Sequence, residues 1–421
     1  MSAAAQRSAS APNASQEPIA SREDGPAVSL GLAELAGRVF RREDLDPLAA
    51  DLQARAAAAE PDMGAAFDLS LLLQLVGQKD QALALQHDIL LAVRHFRTVH
   101  GDGGGPRLLA LCAPGDFMAN TPIDFLLEGS NATLDLYFVG HDEPLPATLP
   151  NHDVAFVAVG ESDQSTRLLQ ALDDARGAWP RPTLNRKTGG ILAMRRDLAA
   201  ELLADEPSIL APATVRVTRA GLCDVATGDR QLADLLPGHD FPIIARPVGS
   251  HAGGGLELLA DASELQTYLA GQDGEDFYIA PFIDYRSGDG LFRKYRVVFV
   301  AGEPFLAHLA ISQNWMVHYL NAGMLEDAAK RDEEAAAMAD FAHAFAHRHR
   351  EAFEALNDRF ALDYFGVDCA ETPDGRLLVF EADNALIIHD MDPPDVFPYK
   401  SAHVRKLFAA FQALVSRQAG I

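Results

Sequence analysis

Residues 365–383 have the pattern of a β-hairpin, and few other folds suit them. The segment runs Phe365-Gly-Val-Asp-Cys-Ala-Glu371, then Thr-Pro-Asp-Gly, then Arg376-Leu-Leu-Val-Phe-Glu-Ala-Asp383. Pro presets the first turn position and Gly supplies the left-handed one, so Pro-Asp-Gly between two apolar runs marks a tight reversal. Glu381 and Asp383 lie two apart and therefore share a strand face. Pairing Glu371 with Arg376 sets Asp368 opposite Val379 on that same face. Three carboxylates then converge with no Lys beside them. Such a patch is costly alone and suits a hard, oxygen-seeking cation such as Mg²⁺. A solvated sheet face is the alternative, and a register slip of one residue undoes the convergence.

A second reversal precedes it. Residues 241–247 (Phe-Pro-Ile-Ile-Ala-Arg-Pro) form a strand that carries Arg246 into a loop with glycines at 249, 253, 254 and 255. The chain returns through Leu256-Glu-Leu-Leu as a strand. A Walker loop or a dinucleotide turn must open a helix, so neither fits. Glycine-rich backbone can still close its amides over phosphates, and Arg246 adds charge-assisted contacts to phosphate oxygens. The alternative is an ordinary flexible hairpin. Between the two reversals, residues 277–284 and 292–300 are strands, and Lys294 and Arg296 share one face of the second. Read alone, that is only a basic strand edge.

Elsewhere the pattern changes. Residues 107–113, 134–139 and 153–159 are apolar strands, followed by a helix at 164–176. Strands alternating with helices argue for an α/β layer with a parallel sheet. Residues 188–203 read as a short helix. From residue 214 onward the strands are mostly antiparallel, an α+β pattern, with a long helix at 328–356 and a last one at 402–417. From 27 to 100 apolar residues recur at helical spacing. Residues 68–94 read as two helices joined at 77–80, with Asp80 as an N-cap, a pair similar to one tetratricopeptide unit. The Gly-rich run 101–106 is a linker, and residues 1–26 have the composition of a disordered tail. His343 and His347 have metal-ligand spacing on a helix, but without an intervening Glu a solvated basic face is the reading preferred.

Acidic residues outnumber basic ones, 60 to 35, for a formal charge of −25, which disfavours nucleic acid and anionic membranes. Three cysteines far apart give no disulfide framework or thiolate zinc site and point to a reducing, cytoplasmic compartment. No apolar run is long enough to span a bilayer.

Taken in order, the strand-borne cation, glycine hairpin, hinge strand, basic strand and acidic hairpin resemble the ATP-grasp superfamily. The branch most similar contains glutathione synthase and the ligase that adds glutamate to a ribosomal protein. The resemblance implies three regions after the tail: helical 27–100, a Rossmann-like pre-ATP-grasp domain at 106–184, and an ATP-grasp domain at 185–421. It also implies ATP and Mg²⁺. Arg246 resembles the phosphate-binding Lys, and Arg196 stands for an earlier Lys at looser spacing. Ser250, His251, Gly253, Gly254 and Gly255 resemble the lid over the phosphates. Pro281 and Phe282 fall at the hinge that hydrogen-bonds adenine, through the Pro281 carbonyl and the Phe282 amide, and Asp284 falls where ribose is bound. Arg296 resembles the Arg that stabilises the transferred phosphoryl group. Asp368, Glu381 and Asp383 resemble the metal ligands; Asp383 stands where the family has Asn, and Asn384 becomes the ligand if the register shifts. Lys294 replaces an acid of those ligases. Lys294, at that acceptor position, and His308, Trp315, His318, Tyr319, Asn321 and His389 are candidates for substrate contact. The implied activity joins a small-molecule carboxylate to an amine or a peptide through an acyl phosphate. An ATP-binding regulatory or scaffold protein is the rival reading. A homodimer is left open.

Overall fold

The computed structural model describes residues 25–175, 177–250 and 253–421. Residues 1–24, most of the tail expected from composition, lie outside the described residues, as do His251 and Ala252. The fold is mixed α/β, with three sheets among the described residues.

The first sheet has six strands in the order Ala27–Val28, His95–Val99, Thr133–Phe138, Arg107–Cys112, Val154–Val157 and Thr183–Leu184. Its pairings are parallel except His95–Val99 with Thr133–Phe138. Two of its strands come from the stretch read as wholly helical. That stretch holds four helices, Leu32–Phe40, Asp46–Ala56, Met63–Leu75 and Lys79–Ala92; the last two are the pair expected over 68–94. The turn falls at Gly77, whose φ of +81° suits glycine. Asp80 lies inside the last of these helices; Gln78 occupies the N-cap without a side-chain bond. The working cap is Asp62, which accepts from the Ala65 amide at 3.1 Å.

The second sheet is antiparallel: Glu257–Leu259, Ile243–Pro247, Asp276–Pro281 and Val215–Thr218. It packs Ile243, Ala245, Phe277 and Ile279 against the helices Arg219–Thr227 and Ala262–Gly271. The third sheet has the order Glu303–Ser312, Phe292–Val300, Tyr364–Glu371, Leu377–Asp383 and Ile209–Leu210. The sequence reading missed Glu303–Ser312, and its single helix over 328–356 is broken into Ala328–Asp340, Phe345–Arg348 and Arg350–Phe360. The breaks let Phe345 stack on Tyr295 at 4.0 Å and bring buried His349 within 2.8 Å of Glu371. His343 and His347 are exposed. The expected helix at 188–203 is likewise two, Gly189–Leu192 and Arg196–Leu203.

The last helix, Lys400–Ala419, joins the layers. Its Phe411 lies 5.9 Å from Phe156 of the six-stranded sheet and 5.4 Å from Tyr364 of the five-stranded sheet. Asn384 adds a polar latch: its Nδ2 donates to the Val159 carbonyl at 3.0 Å, and Thr121 Oγ1 donates to the Asn384 carbonyl at 2.8 Å. The strand that ends at Asp383 is therefore fixed to the α/β layer. No helix of the described residues is long and apolar enough to cross a membrane.

Candidate active site

A cleft of about 690 Å³ opens between the second and third sheets. Arg246, Tyr278 and Phe282 line it from one side; Lys294, Arg296, His308, Asp368, Glu381 and Asp383 line it from the other. Two β-bulges create the second group. Cys369 pairs with Val379, but Asp368 pairs with Glu381, so Phe380 is an extra residue. Without it Asp368 would face Phe380, and Glu381 would point to the opposite side of the sheet. The expected pairing of Asp368 with Val379 is thus corrected. The hairpin starts one residue out of that register, at Glu371–Leu377, and the bulge restores the shared face. The second bulge follows Arg296, which pairs with His308 on one side and Asp368 on the other.

The expectation of uncompensated like charge also needs correction. Asp368 is bonded by Arg296 Nε at 2.8 Å, Arg296 Nη2 at 2.9 Å and Lys294 Nζ at 2.9 Å. Burial works to raise its pKa, but these two cations outweigh burial and hold it well below the usual carboxylate range. Glu381 is paired with Arg196 at 2.7 Å. Asp383 has no basic partner at ion-pair distance among the described residues and accepts from the Ala385 amide at 2.7 Å. Burial first and Glu381 second push it up to about 7. Asp383 faces the cleft, whereas Asn384 is fully buried in the latch outside it. Among the described residues no group of three or more His, Cys, Asp or Glu is already gathered around a metal position. The donor chemistry nevertheless fits a hard divalent cation: Glu381 and Asp383 present oxygens on one face, and Asp383 has no ion-pair partner among the described residues to compete for it.

Arg246 sits across the cleft. Its Nε donates to Ser250 Oγ at 3.1 Å and its Nη2 to the Ser250 carbonyl. Burial, then Arg196 nearby, lower its pKa. Gly253 lines the cleft with φ +77° and Gly255 turns the hairpin with φ +64°. Ser250, Gly254 and Gly255 are outside the cleft lining; His251 lies outside the described residues.

At the hinge, Pro281 and Phe282 line the cleft, and Phe282 meets Trp315 edge-on at 5.8 Å. The Phe282 amide, expected to serve adenine, already donates to the Pro242 carbonyl at 3.1 Å. Asp284 is displaced from its expected role as well. It is held by Arg286 Nε at 2.9 Å, is largely exposed, and does not line the cleft. Of the substrate candidates, Lys294, His308, Trp315, His318, Tyr319 and His389 line the cleft. Asn321 does not; its Oδ1 accepts from the His318 amide at 3.1 Å.

The structure adds groups that the sequence reading passed over. Buried Lys400 lines the cleft, 2.7 Å from Asp392 and 3.9 Å above the Tyr319 ring. Fully buried Glu334 accepts from Tyr319 at 3.0 Å and Tyr399 at 2.7 Å. Periodicity offered a signal: Lys400 shares the buried helix face of Val404, Leu407, Phe408 and Phe411. Five cations (Arg196, Arg246, Lys294, Arg296, Lys400) and four acids (Asp368, Glu381, Asp383, Asp392) line the cleft, a net +1 in a chain of −25. The lining is thus locally cationic in an acidic chain, a charge balance that favours anions in the cleft over the rest of the surface.

No protein-family model and no curated protein matches the chain. Solved structures do superpose on it. A D-alanine–D-alanine ligase from Coxiella burnetii is 12% identical, with TM-score 0.46, over 75% of this chain and 96% of that one. A RimK domain ATP-grasp protein from Sphaerobacter thermophilus is 16% identical, with TM-score 0.38, over 73% and 98%. A D-alanine–D-alanine ligase from Helicobacter pylori is 14% identical, with TM-score 0.38, over 63% and 74%.

Proposed function

We propose that the chain is an ATP-grasp ligase that activates a carboxylate with ATP and passes the acyl group to an amine. The observation that carries this reading is the opposition across one cleft of Arg246 beside a glycine hairpin and the Arg296–Asp368–Glu381–Asp383 face. The net positive cleft supports a polyanionic substrate, and the apolar hinge beside Phe282 and Trp315 supports a flat base.

Arg246 and the hairpin backbone at Gly253 bind the phosphates. Arg296, fixed by Asp368, meets charge that develops on the transferred phosphoryl group. The substrate carboxylate oxygen forms a bond to the γ-phosphorus, and the bond to the bridging oxygen breaks, releasing ADP. The amine nitrogen then bonds to the acyl carbon, phosphate departs with the electron pair, and the amine loses its proton. Glu381 and Asp383, with Asp368 on the same face, are the residues that would hold Mg²⁺. When bound, that ion supplies charge neutralisation at the β- and γ-phosphates.

Glu381→Gln tests the reading. ADP release in the presence of Mg-ATP and pooled carboxylic acids and amines is expected to fall to background, and the thermal shift given by Mg-ATP to shrink. Turnover unchanged from wild type overturns it. Mg-ATP held without consumption, for any acceptor, favours the regulatory reading instead.

A further inference from the structure

The cleft continues past the charged face into an apolar end that phosphate chemistry does not use. The helix Leu32–Phe40 borders it. Leu32, Ala36 and Phe40 are spaced four apart, so one helix face presents all three to the cleft. Phe40 is 41% exposed on this inward-facing wall, its ring centroid 5.7 Å from that of His389. Phe125 stands beside this helix, and the loop after the carboxylate strand brings Ile387 and Met391 against both. Glu34 and Arg38 of the same helix turn away and pair with each other at 2.7 Å.

This wall begins at the charged face. Arg296 Nη1 donates to the Ile387 carbonyl at 3.5 Å, while the Ile387 side chain packs on the Ala33, Ala36 and Phe125 cluster. One residue therefore touches the guanidinium with its backbone and the apolar wall with its side chain. Ile387 is also only four residues beyond Asp383, within roughly 14 Å even for extended chain. A group bonded close to a carboxylate at Arg296 lies within reach of the wall.

We propose that this end of the cleft is a subsite for an apolar substituent on the carboxylic acid that is activated, with Leu32–Phe40 as its outer wall. The occupant is a carboxylic acid because the charged end sets Lys294, Arg296 and Lys400 against Asp368 and Asp392, an excess of one cation, and the other end is hydrocarbon around the His389 ring. The helix Leu32–Phe40 thereby selects the substrate. The inference rests on the ligase reading for the identity of the activated group, but its test is independent of turnover.

Acetate, butyrate, hexanoate and octanoate are titrated into the full chain by calorimetry, with and without Mg-ADP. Each added methylene is expected to tighten binding about fourfold. Phe40→Asp, at an exposed position, is expected to flatten the series, and Met391→Asp to do the same from the opposite wall. A flat series in the wild type overturns the subsite, as does a steep series that both variants leave unchanged. Absence of Mg-ADP binding overturns the nucleotide reading alone, since the acid series is also measured without nucleotide.

Discussion

Arg246 and Arg296 face one cleft from two sheets, and they are prepared in opposite ways. Arg296 is locked by two bonds to Asp368, and that carboxylate outweighs burial to raise its pKa. Arg246 has only the two Ser250 oxygens among the described residues, and burial and Arg196 push its pKa down. The five-stranded sheet thus carries its own counter-charge, whereas the four-stranded sheet leaves a buried cation short of one. A site that must hold a fixed cation and also recruit an anion needs both arrangements.

The contrast predicts its largest effect at Asp368. Asp368→Asn leaves Lys294 and Arg296 as buried charges without their counter-ion, at a cost of about 3–5 kcal/mol. Chemical denaturation is expected to show that loss, with ADP release at background. Retained stability would show that the sheet does not depend on its internal pairing.

Arg246→Met is the opposing experiment. With no carboxylate in ion-pair contact among the described residues, and Glu381 keeping Arg196, the fold is expected to keep or gain stability. Mg-ATP affinity falls about tenfold to a hundredfold, as charged hydrogen bonds of about 1.5–3 kcal/mol are removed. The two variants together separate structural from ligand-directed cation: one loses the fold, the other the nucleotide. Destabilisation of Arg246→Met as severe as that of Asp368→Asn would erase the distinction.

The hairpin beside Arg246 gives a smaller effect. Gly255 has φ +64°, and a Cβ there would lie 2.7 Å from Pro247 Cδ; Gly249 has φ +75° with open space around it. Both alanine variants incur the left-handed penalty of about 1–2 kcal/mol. Gly255→Ala is expected to exceed Gly249→Ala in denaturant midpoint shift, because Pro247 must also move. Equal shifts would mean that the hairpin yields freely at Pro247.

What could be read from the sequence was local. The Pro-Asp-Gly reversal, the glycine hairpin and the alternating α/β strands each depend on neighbours within a few residues, and the structure contains them. The bulge at Phe380 depends on three strands competing for register, which no short window encodes. Lys294 read as an acceptor-site cation because its partner, Asp368, is 74 residues away. The amide of Phe282 was open in sequence and is closed in space by Pro242. The apolar wall of Leu32–Phe40 meets Ile387 across most of the chain, so helical periodicity marked a buried face without revealing what it covered.

The smallest effect concerns the side chain that shares Arg296's row. His308 pairs with Arg296 across the outer strand and faces the cleft beside Tyr319, ring centroids 4.7 Å apart. Its Nδ1 is buried without a hydrogen-bond partner among the described residues, and burial first, then the Arg296 charge, hold its pKa well below the ordinary value. The folded imidazole therefore stays neutral where the unfolded chain takes up a proton, near pH 6.5. Below that pH the unfolded state binds more protons, so stability falls as pH falls, by up to about 1.4 kcal/mol per pH unit from this one group. His308→Gln removes the titration, and the slope of unfolding free energy between pH 6.5 and 5 is expected to flatten by that amount or less. An unchanged slope would mean that His308 takes its proton in the folded state despite the guanidinium beside it, and the five-stranded sheet would then have spare capacity for positive charge that its pairing with Asp368 does not suggest.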